Sequence, residues 1–178
     1  MKYLIASDLH GSAYYAQKLN DLFIEEKADI LILLGDIYNH GPRNPLPKDY
    51  APMKVSEILN GLKEKLMVIK GNCDSAVDTM ISDFDFIENA VVTSGEKTVF
   101  LTHGHVYNKD NMPKTRFNAV VYGHFHTGFI ENIDGVTVAN PGSLSLPKNG
   151  TPNSYMTLEN GVLILKDLDG KVIKETNI

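Results

Sequence analysis

The stretch ADILILLGD, Ala28 to Asp36, is an apolar run that ends in a glycine and a carboxylate. A second run of this kind, KYLIAS from Lys2 to Ser7, ends at Asp8. Both are apolar throughout rather than alternating, which is typical of parallel strands buried on both faces. Between them, Ser12 can cap a helix. The apolar residues of that helix recur at spacings of three and four: Tyr15, Leu19, Leu22 and Phe23. The two runs therefore predict a strand–helix–strand unit.

The rest of the chain predicts an α/β fold whose second half is mostly β. A second helix is expected over roughly 52–65, followed by a third strand, LMVIK. After about Asn89, short strands alternate with turn signals instead of helices. Three dipeptides mark tight hairpins: Asp134-Gly135, Asn160-Gly161 and Asp169-Gly170. We expect one sheet packed on another with helices outside, in a single domain over 1–178.

Composition narrows the class of protein. A chain of 178 residues with 43% hydrophobic content can bury one sizeable core. Its net charge of -5 argues against binding nucleic acid or a membrane surface by bulk positive charge. The single cysteine excludes an intramolecular disulfide framework. Because no apolar stretch reads as a signal peptide or a spanning helix, we expect a cytoplasmic location.

Seven carboxylate, imidazole and amide side chains follow the ends of apolar strands, where α/β folds build their sites. In extended backbone, the side chains of residues two apart point the same way, so such a pair can reach the same ion. The chain has two such pairs, Asp8 with His10 and His124 with His126. The candidate ligands are Asp8, His10, Asp36, Asn72, His103, His124 and His126. Oxygen and imidazole ligands without thiolate suit Mn, Fe, Co, Ni or Zn.

Seven ligands are too many for one such ion and suit two, about 3.5 to 4 Å apart and bridged by a carboxylate and a hydroxide. Such a pair generates a nucleophile from water near neutral pH and neutralises charge on a phosphoryl group. The residues thus favour hydrolysis of phosphoesters by attack of a metal-bridging hydroxide.

The ordered motifs resemble those of the calcineurin-like metallophosphoesterases. They are D-x-H at 8–10, G-D at 35–36, G-N-x-D at 71–74, a lone His103 and G-H-x-H at 123–126. The linking text, including NPGS at 140–143, is similar to the small bacterial YfcE-like phosphodiesterase branch. The resemblance implies a four-layer α/β/β/α sandwich and two divalent ions, with manganese favoured. It implies that Asp8, His10 and His126 bind the first ion, Asn72, His103 and His124 the second, and that Asp36 bridges them.

Cys73 stands where many members of this family have a histidine that contacts the phosphoryl oxygens and protonates the leaving group. The resemblance implies that Asp74 orients the residue at this position. A nucleophilic Cys73 is disfavoured, because Asp74 and Asp78 would raise its pKa and no arginine is near. A packed thiol lining the pocket and a weak proton donor stay open. Without an imidazole, we expect a phosphodiesterase that favours activated, aryl-like diesters.

Further candidates and alternatives complete the sequence-based view. His105 is a second candidate for proton transfer, and Asn39, His40 and Arg43 are candidates for binding a small phosphodiester substrate. We expect the turn at 140–143 to support the site rather than react. The alternatives are a phosphomonoesterase or nucleotide phosphatase, and a non-catalytic scaffold of the same fold. Strand edges in the second half and the resemblance favour a homo-oligomer, a dimer or a tetramer.

Overall fold

The first two strands lie side by side in parallel, as their apolar runs predict. In the computed structural model, which describes residues 1–178, they are β1 (Lys2–Ala6) and β2 (Ile30–Leu33). Helix α1 (Ala13–Glu25) connects them, and its first turn is capped by Ser12, whose Oγ accepts a hydrogen bond from the Tyr15 N–H at 3.3 Å. The predicted strand–helix–strand unit is therefore present.

The second helix is shorter than expected. Helix α2 spans Pro52–Asn60 and stops at Gly61, a residue of low helix propensity, and Lys63–Lys65 form a separate 3-10 turn. The remaining strands are β3 (Leu66–Ile69), β4 (Phe86–Ile87), β5 (Ala90–Ser94), β6 (Lys97–Thr102), β7 (Ala119–Tyr122), β8 (Gly128–Ile133), β9 (Val136–Pro141), β10 (Ser154–Glu159), β11 (Val162–Asp167) and β12 (Val172–Asn177).

The strands form two sheets. The larger has the order β12-β11-β10-β1-β2-β3-β4, with β1 to β4 parallel and the last three strands of the chain antiparallel beside β1. The smaller has the order β5-β6-β7-β9-β8, in which β6, β7 and β9 are parallel. All three predicted hairpin turns join antiparallel neighbours.

Apolar side chains fill three layers around the sheets. Both helices pack on the outer face of the larger sheet, and a second cluster that includes Ile5, Ile32 and Val121 lies between the sheets. The outer face of the smaller sheet carries Phe100 and Val120, against which the loop 103–118 packs. The predicted two-sheet α/β fold is confirmed. Where the fourth layer was expected to be helical, it is this loop.

Neither α1 nor α2 has the length and apolar character that crossing a lipid bilayer requires.

Candidate metal centre

The loops that follow β1, β2, β3, β6 and β7 converge at one edge of the two packed sheets. They carry the seven predicted ligands, so the structure brings all seven together. One expectation about their backbone was wrong. Asp8, His10, His124 and His126 are not extended but have φ values of 56°, 51°, 65° and 57°. Because β1 and β7 end before these residues, tight left-handed turns aim the side chains, a conformation that clusters at functional sites.

Asp8, His10 and His126 form the first buried cluster. The Nε2 atoms of the two histidines lie 3.1 Å apart, and Asp8 Oδ1 lies 3.3 Å from His126 Nε2 and 3.7 Å from His10 Nε2. Burial acts to raise the pKa of Asp8, but its contacts with His126, His103 and His10 lower it to about 2. Asp8 Oδ1 is buried and accepts no hydrogen bond of good geometry. A buried ionised oxygen of this kind needs a positive partner.

Asn72, His103 and His124 form the second cluster, and Asp36 faces both. His103 Nε2 lies 3.1 Å from Asn72 Oδ1, 3.3 Å from His124 Nδ1 and 3.4 Å from Asp36 Oδ1. The other oxygen of Asp36, Oδ2, lies 3.7 Å from His10 Nε2 in the first cluster. Its carboxylate therefore has one oxygen toward each cluster.

Backbone carbonyls fix the orientation of three histidines. The Nδ1 atoms of His10, His103 and His126 lie 2.7, 2.5 and 2.7 Å from the carbonyl oxygens of Asn39, Leu34 and Leu146. Since Nδ1–H donates to the carbonyl, the lone pair of Nε2 points into the cluster, as it does in histidines that bind metals. This centre has inward lone pairs, two carboxylates and an Asp8 oxygen without a hydrogen-bond partner, and these groups fit divalent cations. Burying them without a cation would cost free energy.

Asp74 supports the site through the backbone. Its carboxylate accepts hydrogen bonds from the N–H groups of Asp36, Ile37 and Gly71 at 2.9, 2.8 and 2.7 Å. Burial raises its pKa to about 6, and the three N–H groups oppose that rise. The predicted role of orienting residue 73 is not what these bonds show, because Asp74 instead ties the loop after β2 to the loop after β3.

The turn at 140–143 also supports the site without entering it. Asn140 Nδ2 donates to the Gly123 carbonyl, and the hydroxyls of Ser143 and Ser145 donate to the Asp8 carbonyl at 2.7 and 3.0 Å. All three side chains are buried. They hold the two loops that carry the ligand pairs, in agreement with the supporting role expected from the sequence.

Cys73 lies at the wall of the centre as a protonated thiol. Its N–H donates to Asp36 Oδ1 at 2.9 Å, and its Sγ accepts from Asn72 Nδ2 at 3.4 Å. Burial, then the charge and hydrogen bond of Asp36, raise the pKa of the thiol to about 12. A thiol with this pKa supplies almost no thiolate at neutral pH, which opposes the nucleophilic interpretation.

A cavity of about 720 Å³ opens beside Cys73, and only some of the predicted substrate residues line it. Asn39 and Arg43 line it. His40 does not: its ring packs on Tyr50 with centroids 5.4 Å apart, so the prediction that it faces the pocket was wrong. Lys148 and Phe125 also line the cavity and were missed. Phe125 carried a signal, since it lies between two predicted ligands, whereas Lys148 carried none because its loop is distant in sequence.

His105 lies at the edge of the second cluster, exposed, with its ring centroid 5.4 Å from that of His103. Burial, then the neighbouring His103, lower its pKa below the ordinary value of 6.5. The ring therefore carries a cationic proton less readily than a free imidazole does. This weakens the predicted role of His105 in protonating a leaving group.

The two-sheet fold and the paired imidazole–carboxylate clusters define a metallophosphoesterase. The chain belongs to the calcineurin-like phosphoesterase superfamily, whose domain it matches over residues 1–161. It is 43% identical to the phosphodiesterase YfcE of Escherichia coli strain K12 over 175 residues, covering 97% of this chain and 95% of that protein. The solved structure of Escherichia coli YfcE, described as a phosphoesterase, superposes with a TM-score of 0.96 at 42% identity, over 100% of both chains. The probable metallophosphoesterase YsnB of Bacillus subtilis is 29% identical over 179 residues, with coverage of 95% and 91%.

Proposed function

We propose that this protein is a phosphodiesterase with two divalent ions per chain. The observation that carries the proposal is Asp36, whose two oxygens face two separate clusters of inward-pointing imidazoles. The similarity to a protein named a phosphodiesterase supports the reaction class. The substrate is a small phosphodiester bound in the cavity beside the clusters.

Seven side chains would hold the ions. Asp8, His10 and His126 would bind the first, Asn72, His103 and His124 the second, with Asp36 between them. When bound, a pair of divalent cations acidifies water and neutralises charge on phosphoryl oxygens. Manganese is the metal we favour, although Fe, Co, Ni and Zn accept the same ligands. A cytoplasmic location and a dimer or tetramer stay predictions.

The chain's own residues determine which esters react readily. The Nδ1–H···O=C bonds of His10, His103 and His126 turn their Nε2 atoms toward the metal centre, so none of them is placed to protonate a leaving group. Cys73 holds its proton too tightly to give it up at neutral pH. Leaving groups of low pKa need no proton. We therefore infer a preference for aryl-like diesters over alkyl esters.

Phe125 supports the same preference from the binding side. Its ring lines the cavity between His124 and His126 and is 43% exposed, so it offers an apolar face to the organic part of a substrate. An aryl group on the phosphate would stack on this ring. Asn39 and Arg43, on the neighbouring loop, are placed to contact the substrate.

The test compares bis(p-nitrophenyl) phosphate with p-nitrophenyl phosphate on manganese-loaded protein. These substrates share a leaving group and differ in the charge of the phosphate. We expect kcat/KM to be higher for the diester and activity to vanish in excess chelator. A clear monoester preference would instead support the phosphatase alternative. The absence of both activities, with any of the divalent metals above, would support the non-catalytic scaffold.

A further inference from the structure

The rim of the cavity carries two cations, Arg43 and Lys148, that have no partner within the chain. Both line the cavity and both are exposed. Neither the guanidinium nor the ammonium makes a hydrogen bond or an ion pair, whereas Lys2, Lys63 and Lys166 each bind a carboxylate. Both lie beside the proposed substrate cavity, although the chain as a whole has a net charge of -5.

Each cation lies on a loop that is anchored to a metal-ligand histidine. The Lys148 N–H donates to the His126 carbonyl at 2.9 Å. On the other side, the Asn39 carbonyl contacts His10 Nδ1, and Asn39 Oδ1 accepts from the Gly41 N–H at 2.8 Å, two residues before Arg43. These bonds therefore hold the backbones that carry Arg43 and Lys148 beside the centre that would hold the scissile phosphate.

The cavity wall carries more positive charge than a substrate with one phosphodiester group would need. Asp36 is the only carboxylate among the lining residues, and its oxygens face the two clusters. A phosphodiester carries a single negative charge, and that group belongs at the ligand clusters. The two cations on the rim are thus left without a counter-charge from either the protein or the scissile group.

We propose that Arg43 and Lys148 form a subsite for a second phosphate on the substrate, so that the preferred diesters carry a further phosphate group. The inference rests on the proposed diesterase function and narrows its substrate class. Arginine binds phosphate through two parallel N–H donors and lysine as a point charge, which suits one group held between two loops. The cavity volume of about 720 Å³ leaves room for such a substrate beyond its scissile group.

The kinetic test uses two diesters with the same leaving group: thymidine 5′-(p-nitrophenyl phosphate) and the same compound with an added 3′-phosphate. We expect manganese-loaded protein to favour the 3′-phosphorylated diester by about tenfold or more in kcat/KM, since one charged contact is worth that much. In Arg43→Gln and in Lys148→Gln this ratio should fall about tenfold. The matched controls Arg116→Gln and Lys171→Gln, on exposed residues outside the cavity, should keep it.

A binding measurement separates this subsite from catalysis. We expect calorimetry on manganese-loaded protein to show tighter binding of thymidine 3′,5′-bisphosphate than of thymidine 5′-phosphate, with the difference lost in Arg43→Gln and Lys148→Gln. If neither diester reacts but this binding difference is present, the diesterase function fails and the subsite stands. If both diesters react with equal kcat/KM, or the control variants lose the ratio equally, the subsite is overturned.

Discussion

Gly41 lies directly against the thiol of Cys73. A Cβ at Gly41 would lie 3.1 Å from Cys73 Sγ, and the φ of Gly41 is +74°, a conformation that side chains rarely adopt. The loop that carries Asn39 and Arg43 therefore packs directly against Cys73, and a larger side chain at position 73 would push this loop away. Cys73 thus helps to determine the shape of the cavity, and it also leaves the cavity without an imidazole that could donate a proton.

Replacing Cys73 with histidine should restore proton donation at a cost to this packing. We expect Cys73→His to raise the ratio of kcat/KM for an alkyl phosphomonoester to kcat/KM for bis(p-nitrophenyl) phosphate by about tenfold, which is below the range typical of general acids because the loop must move. Cys73→Ser, which keeps the size without adding an imidazole, is the matched control. Equal ratios in the two variants would contradict the role we assign to the missing imidazole.

Asp36 should be needed by both ions, whereas His126 should be needed by one. We expect Asp36→Ala to reduce metal binding at both sites and to lower diester kcat/KM by more than about 100-fold, as loss of a ligand exceeds the effect of an outer partner. His126→Ala should weaken one site and spare the other, which a calorimetric titration with manganese can resolve. Asp83→Ala, on an exposed carboxylate, is the control. Loss of only one ion in Asp36→Ala would argue against its position between the two.

Asp74 should matter to folding because it satisfies three buried N–H groups. In Asp74→Ala the N–H groups of Asp36, Ile37 and Gly71 lose their acceptor. We expect the free energy of unfolding of metal-free protein to fall by about 2–4 kcal/mol, measured in urea. Asp74→Asn, which keeps one acceptor oxygen, should lose less. Equal losses in the two variants would mean that the N–H bonds are not what Asp74 contributes.

Glu26 should make stability depend on acid pH far from the metal centre. Its carboxylate binds Lys2, Lys166 and Tyr155, each at 2.7 Å. Burial acts to raise its pKa, but these three partners lower it from 4.5 to about 2. A lowered folded-state pKa adds stability above pH 4.5 that is lost as the pH falls toward 2.

Glu26→Gln tests this dependence. We expect it to lower the free energy of unfolding by about 1 kcal/mol at pH 7, discounted for solvent screening, with the difference from wild type shrinking between pH 5 and pH 2. Urea unfolding across that range measures it. Glu159→Gln, on an exposed carboxylate outside any ion pair, is the control. A difference that does not change with pH would argue against the pKa shift.

The ligands were predictable because their chemistry is tied to strand ends. Each apolar run of the first half marked a strand, and the residue types that follow them already suited a metal pair. The backbone of Asp8 and His124 was not predictable from spacing, since a left-handed turn after a strand leaves no period-2 pattern to read. Lys148 reaches the cavity only because β10, beyond it in the chain, returns to pair with β1.

His40 and Asp74 show the opposite limit. His40 was selected because it lies close in sequence to Asp36, and Asp74 because of its place in the G-N-x-D motif. His40 instead packs on Tyr50, and Asp74 binds three backbone N–H groups. Adjacency in sequence does not determine which way a loop side chain points, because tertiary contacts decide it. For the same reason, the sequence did not predict that the loop 103–118 covers the smaller sheet in place of a helix.

Counting the bound metal tests the two-ion centre most directly. The protein is purified without chelator, loaded with manganese, freed of excess metal and measured for metal and protein in the same sample. We predict about two ions per chain, as the paired clusters on either side of Asp36 require. One ion per chain would contradict the shared-carboxylate centre, and none after loading with any of the divalent metals would contradict the metal-dependent function altogether.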